Sequence, residues 1–272
     1  MPSTTVITVP QLSRLVGLPG APAVIDVRID DDFEADPRIL PASVRRDFKA
    51  VSSWAPEFGG RRVAVVCQRG RKLSQGVAAW LRHEGIAAES LEGGFEAWRE
   101  AKGLLILADK IPPRDGKGRT LWVTRARPKV DRIACPWLIR RFIDSQAVFL
   151  FVDAAEVPAV ADRFQAVAFD IDDVFWSHRG ERCSFYTMID EFGLRSEALD
   201  RLALIVRAAD TARLDLVPQA AGFLAASLGL SRMFRDDLEQ LDAGMLLYDA
   251  FYRWCRDATE ETHNWPAGAR VP

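Results

Sequence analysis

The stretch Val63-Ala64-Val65-Val66-Cys67-Gln68-Arg69-Gly70-Arg71-Lys72-Leu73-Ser74 decides how the first half of the chain folds. A run of apolar, mostly β-branched residues reads as a buried strand, and it stops at Cys67. A polar turn follows, in which Gly70 frees the backbone to curl. Val77, Ala78, Trp80 and Leu81 then recur at helical spacing, and Gly85 closes that helix. Ser74 is placed to cap the helix. Loop N–H groups are expected to point at the sulfur, and the helix N-terminus adds positive potential. Both effects favour thiolate over thiol, and thiolate is the nucleophile. Arg69, Arg71 and Lys72 would draw an anionic sulfur donor or an oxyanion to it. The competing reading is a structural cysteine at a strand end with a solvated charge run beside it; the strand, loop and helix in this order favour the reactive site.

Outward from this loop the same grammar repeats. Ala23-Val24-Ile25-Asp26-Val27 reads as a second buried strand, Ala87 to Leu91 as a third, and Phe95, Trp98 and Leu104 mark a closing helix and its exit. Strands alternating with helices predict an α/β unit: a parallel sheet with helices on both faces. Between Ala108 and Arg119 the periodicity is lost in Ile111-Pro112-Pro113-Arg114-Asp115-Gly116-Lys117-Gly118, which reads as a linker. The expected organisation is therefore one unit over 1–107, a linker over 108–119 and a second unit over 120–272.

The second unit opens with a strand at Leu121-Trp122-Val123. A helix follows with Pro136 in its first turn and Trp137, Ile139, Phe142 and Ile143 on its apolar positions. Val148 to Val152 is another strand. Beyond Phe185 the spacing of Leu199, Leu202, Ala203 and Val206, and of Leu238, Leu241, Met245, Tyr248 and Tyr252, predicts helices. This half is expected to be a mainly helical α+β domain. Trp122, Trp137, Tyr248, Tyr252 and Trp254 are expected in its core, and His83 and His263 on the surface.

Composition bounds the function. The formal net charge is −2 over 272 residues, which leaves no overall footprint for nucleic acid or an anionic membrane. No apolar run reaches the length of a spanning helix, and Met1 to Val9 lacks the pattern of a secretory signal. Cys67, Cys135, Cys183 and Cys255 form no CxxC pair, which argues against a disulfide framework or a zinc ribbon. A cytoplasmic protein with reduced thiols is the expectation.

The first half resembles the rhodanese family. Val24-Ile25-Asp26-Val27-Arg28 is similar to its opening strand with an Asp-x-Arg ending, and Leu91-Glu92-Gly93-Gly94-Phe95-Glu96-Ala97-Trp98 to its Gly-Gly-x-x-x-Trp signature. The resemblance covers about residues 8 to 104. It implies a persulfide carried on Cys67 and passed to an acceptor, with Gln68, Arg69, Gly70, Arg71 and Lys72 around the substrate. Asp26 and Arg28 would then orient substrate or form a salt bridge holding the strand end. The sequence departs from the thiosulfate-using pattern Cys-x-x-Gly-x-Arg-Ser. Lys72 stands where that arginine would be and Ser74 comes one residue late, so the loop is expected to be longer and its donor is left open. Arg38-Ile39-Leu40-Pro41-Ala42 replaces the family's usual Gly-His-Ile segment.

The second half resembles the C-terminal domain of ChrB-type chromate-resistance proteins. The matching stretches are Trp122 to Lys129, Asp131 to Asp144, His178 to Phe185, Pro218 to Gly222 and Tyr248 to Tyr252. The family implies a role in chromate response or detoxification. From the residues alone, His178, Cys183 and Asp210 are candidate ligands of a divalent metal, since imidazole, thiolate and carboxylate all serve. The bland alternative is a core cysteine, a carboxylate paired with arginine and an ordinary loop histidine. Two functions follow as expectations. One is a sulfurtransferase taking a small anionic donor or oxyanion, with a protein as a further sulfur acceptor. The other is a chromate or metal sensor in which the rhodanese-like unit docks or relays.

Overall fold

Residues 5–261 are described by a computed structural model. The chain begins with strand β1 (Val6–Ile7), helix α1 (Val9–Leu15), β2 (Ala23–Asp26), α2 (Asp30–Ala35), β3 (Arg38–Ile39) and β4 (Val44–Arg45). Then come α3 (Val51–Trp54), β5 (Val63–Val66), α4 (Lys72–His83), β6 (Ala88–Leu91), α5 (Gly94–Glu100) and β7 (Ile106–Leu107). The main sheet has the order β1-β6-β5-β2-β4, and every pairing in it is parallel. It is covered by two layers. Ile25, Val63, Val65, Val77, Ala78 and Leu81 pack with Trp54 and Phe58 on one face, and Val24, Ala64, Val66, Leu91, Phe95 and Trp98 on the other. All four residues of β5 are buried, because both faces are covered. The strand order reverses between β2 and β5, so the cleft outside their carboxyl ends is where this class of sheet presents its site. Cys67 stands at that point.

The segment expected as a linker is pinned to its surroundings. The Asp115 carboxylate accepts from Lys117 N, Arg119 N and the Arg119 guanidinium. Arg114 donates to Gly118 O and pairs with buried Asp144 at 3.1 Å. Asp144 in turn receives Thr120 N and Oγ1 at 2.7 and 2.9 Å.

Next come β8 (Leu121–Arg125), α6 (Asp131–Leu138), β9 (Val148–Val152), α7 (Val157–Phe164) and β10 (Val167–Ala168), which make a parallel sheet of order β10-β8-β9. Helices α8 (Ser184–Glu191), α9 (Glu197–Asp210), α10 (Ala220–Met233) and α11 (Asp237–Asp257) follow. The short β10 carries too few residues for alternation to announce it. Pro136 is not in a first turn as the sequence reading expects: α6 begins at Asp131, and the proline sits inside it. Its missing N–H leaves the ladder short of a donor, and a π-helical turn follows over Ile139–Ile143. Trp122, Trp137, Tyr248 and Tyr252 are buried as expected, and Trp254 is half-buried. His83 is exposed, while His263 lies outside the described residues.

The two halves share one continuous hydrophobic cluster. Leu12, Val16, Leu40, Phe95 and Ile106 belong to the same buried assembly as Trp122, Phe142, Phe192 and Tyr252. At Gly17 the fit is close enough that a Cβ would lie 2.5 Å from Phe142 Cζ and 2.9 Å from Tyr252 Cε1. Arg256 donates to Val16 O, and Lys110 pairs with Glu191. No helix among the described residues is long and apolar enough to cross a membrane.

Candidate functional site

Cys67 follows β5 directly, and four residues, Gln68 to Arg71, separate it from α4. The loop is locked from the other side by the turn before α5. Phe95 N donates to Cys67 O and Glu96 N to Gln68 O. Gly70, Gly93 and Gly94 all hold positive φ of 63°, 67° and 63°. A Cβ on Gly70 would lie 2.4 Å from Leu91 O, and one on Gly94 2.2 Å from Cys67 O. The two turns therefore interlock only because these positions carry no side chain.

Cys67 is buried at 5% exposure, and the hydrogen-bond partner of its sulfur is Ser74 Oγ at 3.1 Å rather than a loop N–H. The expected caps are thus reassigned. Ser74 is the third helical residue, not the N-cap; its hydroxyl also donates to Arg71 O at 3.2 Å. The serine that comes late in the motif is brought back onto the sulfur by the first turn of α4. A pocket of about 700 Å³ opens here, lined by Cys67, Gln68, Arg69, Arg71 and Lys72 together with Asp32 and Glu96. The cations are not equivalent. Arg69 shares Glu96 at 3.4 Å with Gln68, which donates to the same carboxylate at 3.2 Å. Arg71 and Lys72 are exposed and form no ion pair among the described residues. Glu96 is a pocket residue that its motif position did not announce.

Asp26 and Arg28 form the salt bridge, one of the two roles considered for them. Their side chains are 1% and 0% exposed and joined at 2.6 Å. Other donors of the guanidinium go to Asp36 O and Arg38 O, and its face lies 3.9 Å from the Phe95 ring centroid. Most of the donors of this planar fork are thus committed to the Asp26 carboxylate and to two main-chain carbonyls.

In the second half, the candidate ligands His178 and Asp210 meet, and sequence reasoning missed two carboxylates that join them. His178 Nε2 lies 3.3 Å from Asp170 Oδ1, 3.3 Å from Asp210 Oδ2 and 3.5 Å from Asp131 Oδ2. Asp131 is the first residue of α6 and is reached through Val130, whose φ of 36° is strained for a β-branched residue. Tyr248 and Gln240 hold that turn by donating to Val130 O and Pro128 O at 2.6 and 2.5 Å. Asp170, at φ 52°, follows the Phe169 bridge and accepts from Ser184 Oγ at 2.7 Å. Asp131, Asp170 and His178 are close enough together to hold a metal ion.

Cys183, the remaining candidate ligand, is fully buried as the N-cap of α8. Burial, then Asp131, pushes its thiol well above the usual range, and it lies outside the close group of Asp131, Asp170 and His178. Cys135 is likewise pushed up by burial. Asp131 is raised well above the usual carboxylate range by burial and by the Asp210 and Asp170 charges. Asp170 and then Asp210 raise His178 to about 10. All four cysteines are free.

Comparison with known proteins matches residues 8–101 to the family described as rhodanese-like domain and residues 122–255 to the family described as ChrB, C-terminal domain. A curated relative, protein ChrB of Cupriavidus metallidurans, is 37% identical over 150 residues, which are 54% of this chain and 44% of the relative. The chain thus spans less than half the length of that protein. Among solved structures, a rhodanese-related protein from Thermoplasma volcanium aligns with 38% of this chain and 98% of its own, at 23% identity and TM-score 0.34. A protein of unknown function from Rhodopseudomonas palustris, described as a possible tyrosine phosphatase, aligns with 37% of this chain and 83% of its own, at 22% identity and TM-score 0.33.

Proposed function

From the premise that this chain joins a rhodanese-like domain to a ChrB C-terminal domain, we propose that it is a sulfurtransferase working through a persulfide on Cys67, in the service of resistance to chromate or a related oxyanion. The observation that carries the reading is the Cys67 sulfur at the switch point of the sheet, hydrogen-bonded to Ser74 and facing a pocket with the unpaired cations Arg71 and Lys72. Arg71 and Lys72 attract the anionic donor. The Cys67 thiolate attacks the outer sulfur of the donor. The S–S bond of the donor breaks, the donor remainder leaves with the bonding pair, and Cys67 holds a persulfide. A nucleophilic acceptor then attacks the outer sulfur, and Cys67 recovers its thiolate with the pair from the broken bond. No net oxidation occurs. Ser74 Oγ can turn from Arg71 O to donate to the sulfur anion as it forms. Chromate shares the charge and tetrahedral shape of sulfate, so a cation-lined mouth suited to a sulfur oxyanion is suited to it also.

The purified chain is incubated with cyanide and, in separate arms, thiosulfate or a small-molecule persulfide. Thiocyanate is expected in at least one arm and is expected to fall to background in Cys67→Ser. Equal thiocyanate from both proteins would refute the proposal.

A further inference from the structure

We propose that Asp131, Asp170 and His178 bind one divalent first-row transition-metal cation in the ChrB-type half, independently of Cys67, with Asp210 beside them against His178. The His178 ring brings a single Nε2 to three carboxylate oxygens at 3.3, 3.3 and 3.5 Å. One N–H cannot serve three acceptors, and none lies at the ordinary hydrogen-bond length of about 2.9 Å. The separations of His178 from Asp170 and Asp131, 3.3 and 3.5 Å, do fit the edges of a coordination polyhedron. Nitrogen and oxygen ligands each about 2.1 Å from a cation lie about 3.0 Å apart in an octahedron and about 3.4 Å apart in a tetrahedron.

A second observation points to a ligand. The Asp131 side chain is 1% exposed and its Oδ1 has no hydrogen-bond partner, while its Oδ2 faces His178 and accepts from Phe185 N at 3.2 Å. A carboxylate oxygen buried without a partner costs free energy that a cation recovers. Asp170 is shared with Arg132 at 3.3 Å, but Asp131 and Asp210 meet no arginine or lysine among the described residues. A double positive charge balances that remaining pair. Asp210 is also the last residue of α9, where the helix dipole opposes an anion unless a cation stands in front of it.

The donor set, one imidazole and carboxylate oxygens, suits zinc, manganese, iron or cobalt in the divalent state rather than a soft monovalent ion. The His178 side chain is 41% exposed, so one side of the site faces solvent and is open to water or an exogenous anion. Ser184 supports the site from behind by donating to Asp170.

The test uses the full chain, stripped with a chelator and titrated with Zn²⁺ alone or Co²⁺ alone. Wild type, Cys67→Ser and Cys183→Ser are each expected to retain about one equivalent after desalting. The metal should raise their melting temperatures, and the Co²⁺ form should show visible absorption. His178→Ala and Asp131→Asn are expected to bind at least about tenfold more weakly, with no thermal shift. If Asp131→Asn fails to fold, His178→Ala carries the test, the His178 side chain being 41% exposed. Metal-free wild type after titration, or a His178→Ala protein binding as wild type does, would overturn the site. Loss of binding in Cys183→Ser would overturn its imidazole and carboxylate donor set.

Discussion

At the scale of single residues, Ser74 is the side chain on which turnover should depend most after Cys67. Its hydroxyl is 3.1 Å from Cys67 Sγ and lies within α4, so removing it alters the sulfur's surroundings without disturbing the interlocked glycine turns. A hydrogen bond to a charged group contributes about 1.5 kcal/mol, or roughly a tenfold rate. Ser74→Ala is therefore expected to lower the thiocyanate rate about tenfold while leaving the melting temperature nearly unchanged. An unchanged rate would show that the hydroxyl does not serve the sulfur. Cys67, Gly70 and the neighbouring cations were legible in the sequence because a strand, a turn and a helix are each local patterns. Ser74's contact was not, because its direction is set by where the helix begins. Asp131 and Asp170 were hidden for a different reason: they stand 39 positions apart in sequence, each beside a left-handed backbone residue or in that conformation itself, and only the folded chain points both at His178.

At the scale of elements, β2, β5, β6, α4 and α5 were readable from apolar runs and spacing, because a covered parallel strand leaves a continuous hydrophobic signature. The Gly93-Gly94 pair was readable as a motif, while its function as the partner of the Cys67 loop is a tertiary fact. The start of α6 was placed late because Pro136 favours a first turn. The chain instead tolerates it inside the helix and relaxes into a π-helical turn before Asp144. Strands β1, β3, β4, β7 and β10 have two residues each, too short for any period to register.

At the scale of the whole molecule, the continuous core is the property that composition and periodicity could not disclose. A Pro- and Gly-rich segment reads as a linker, yet here Arg114 fastens it to Asp144, and Gly17 seats the first half against Phe142 and Tyr252. The two halves are therefore expected to unfold together. Urea denaturation followed by far-ultraviolet circular dichroism and by tryptophan fluorescence should give coincident transitions. Gly17→Ala, which introduces a Cβ at φ 80° against Phe142, should destabilise both signals together by about 3 kcal/mol. Separated transitions, with only one moved by Gly17→Ala, would contradict a shared core.

That Cys67 carries sulfur is tested most directly by intact-protein and peptide mass spectrometry after incubation with a sulfur donor. The expected result is one added sulfur atom on the peptide containing Cys67, removed by cyanide and absent from Cys67→Ser. A Cys67 peptide that is alkylated as a plain thiol under every donor would contradict it.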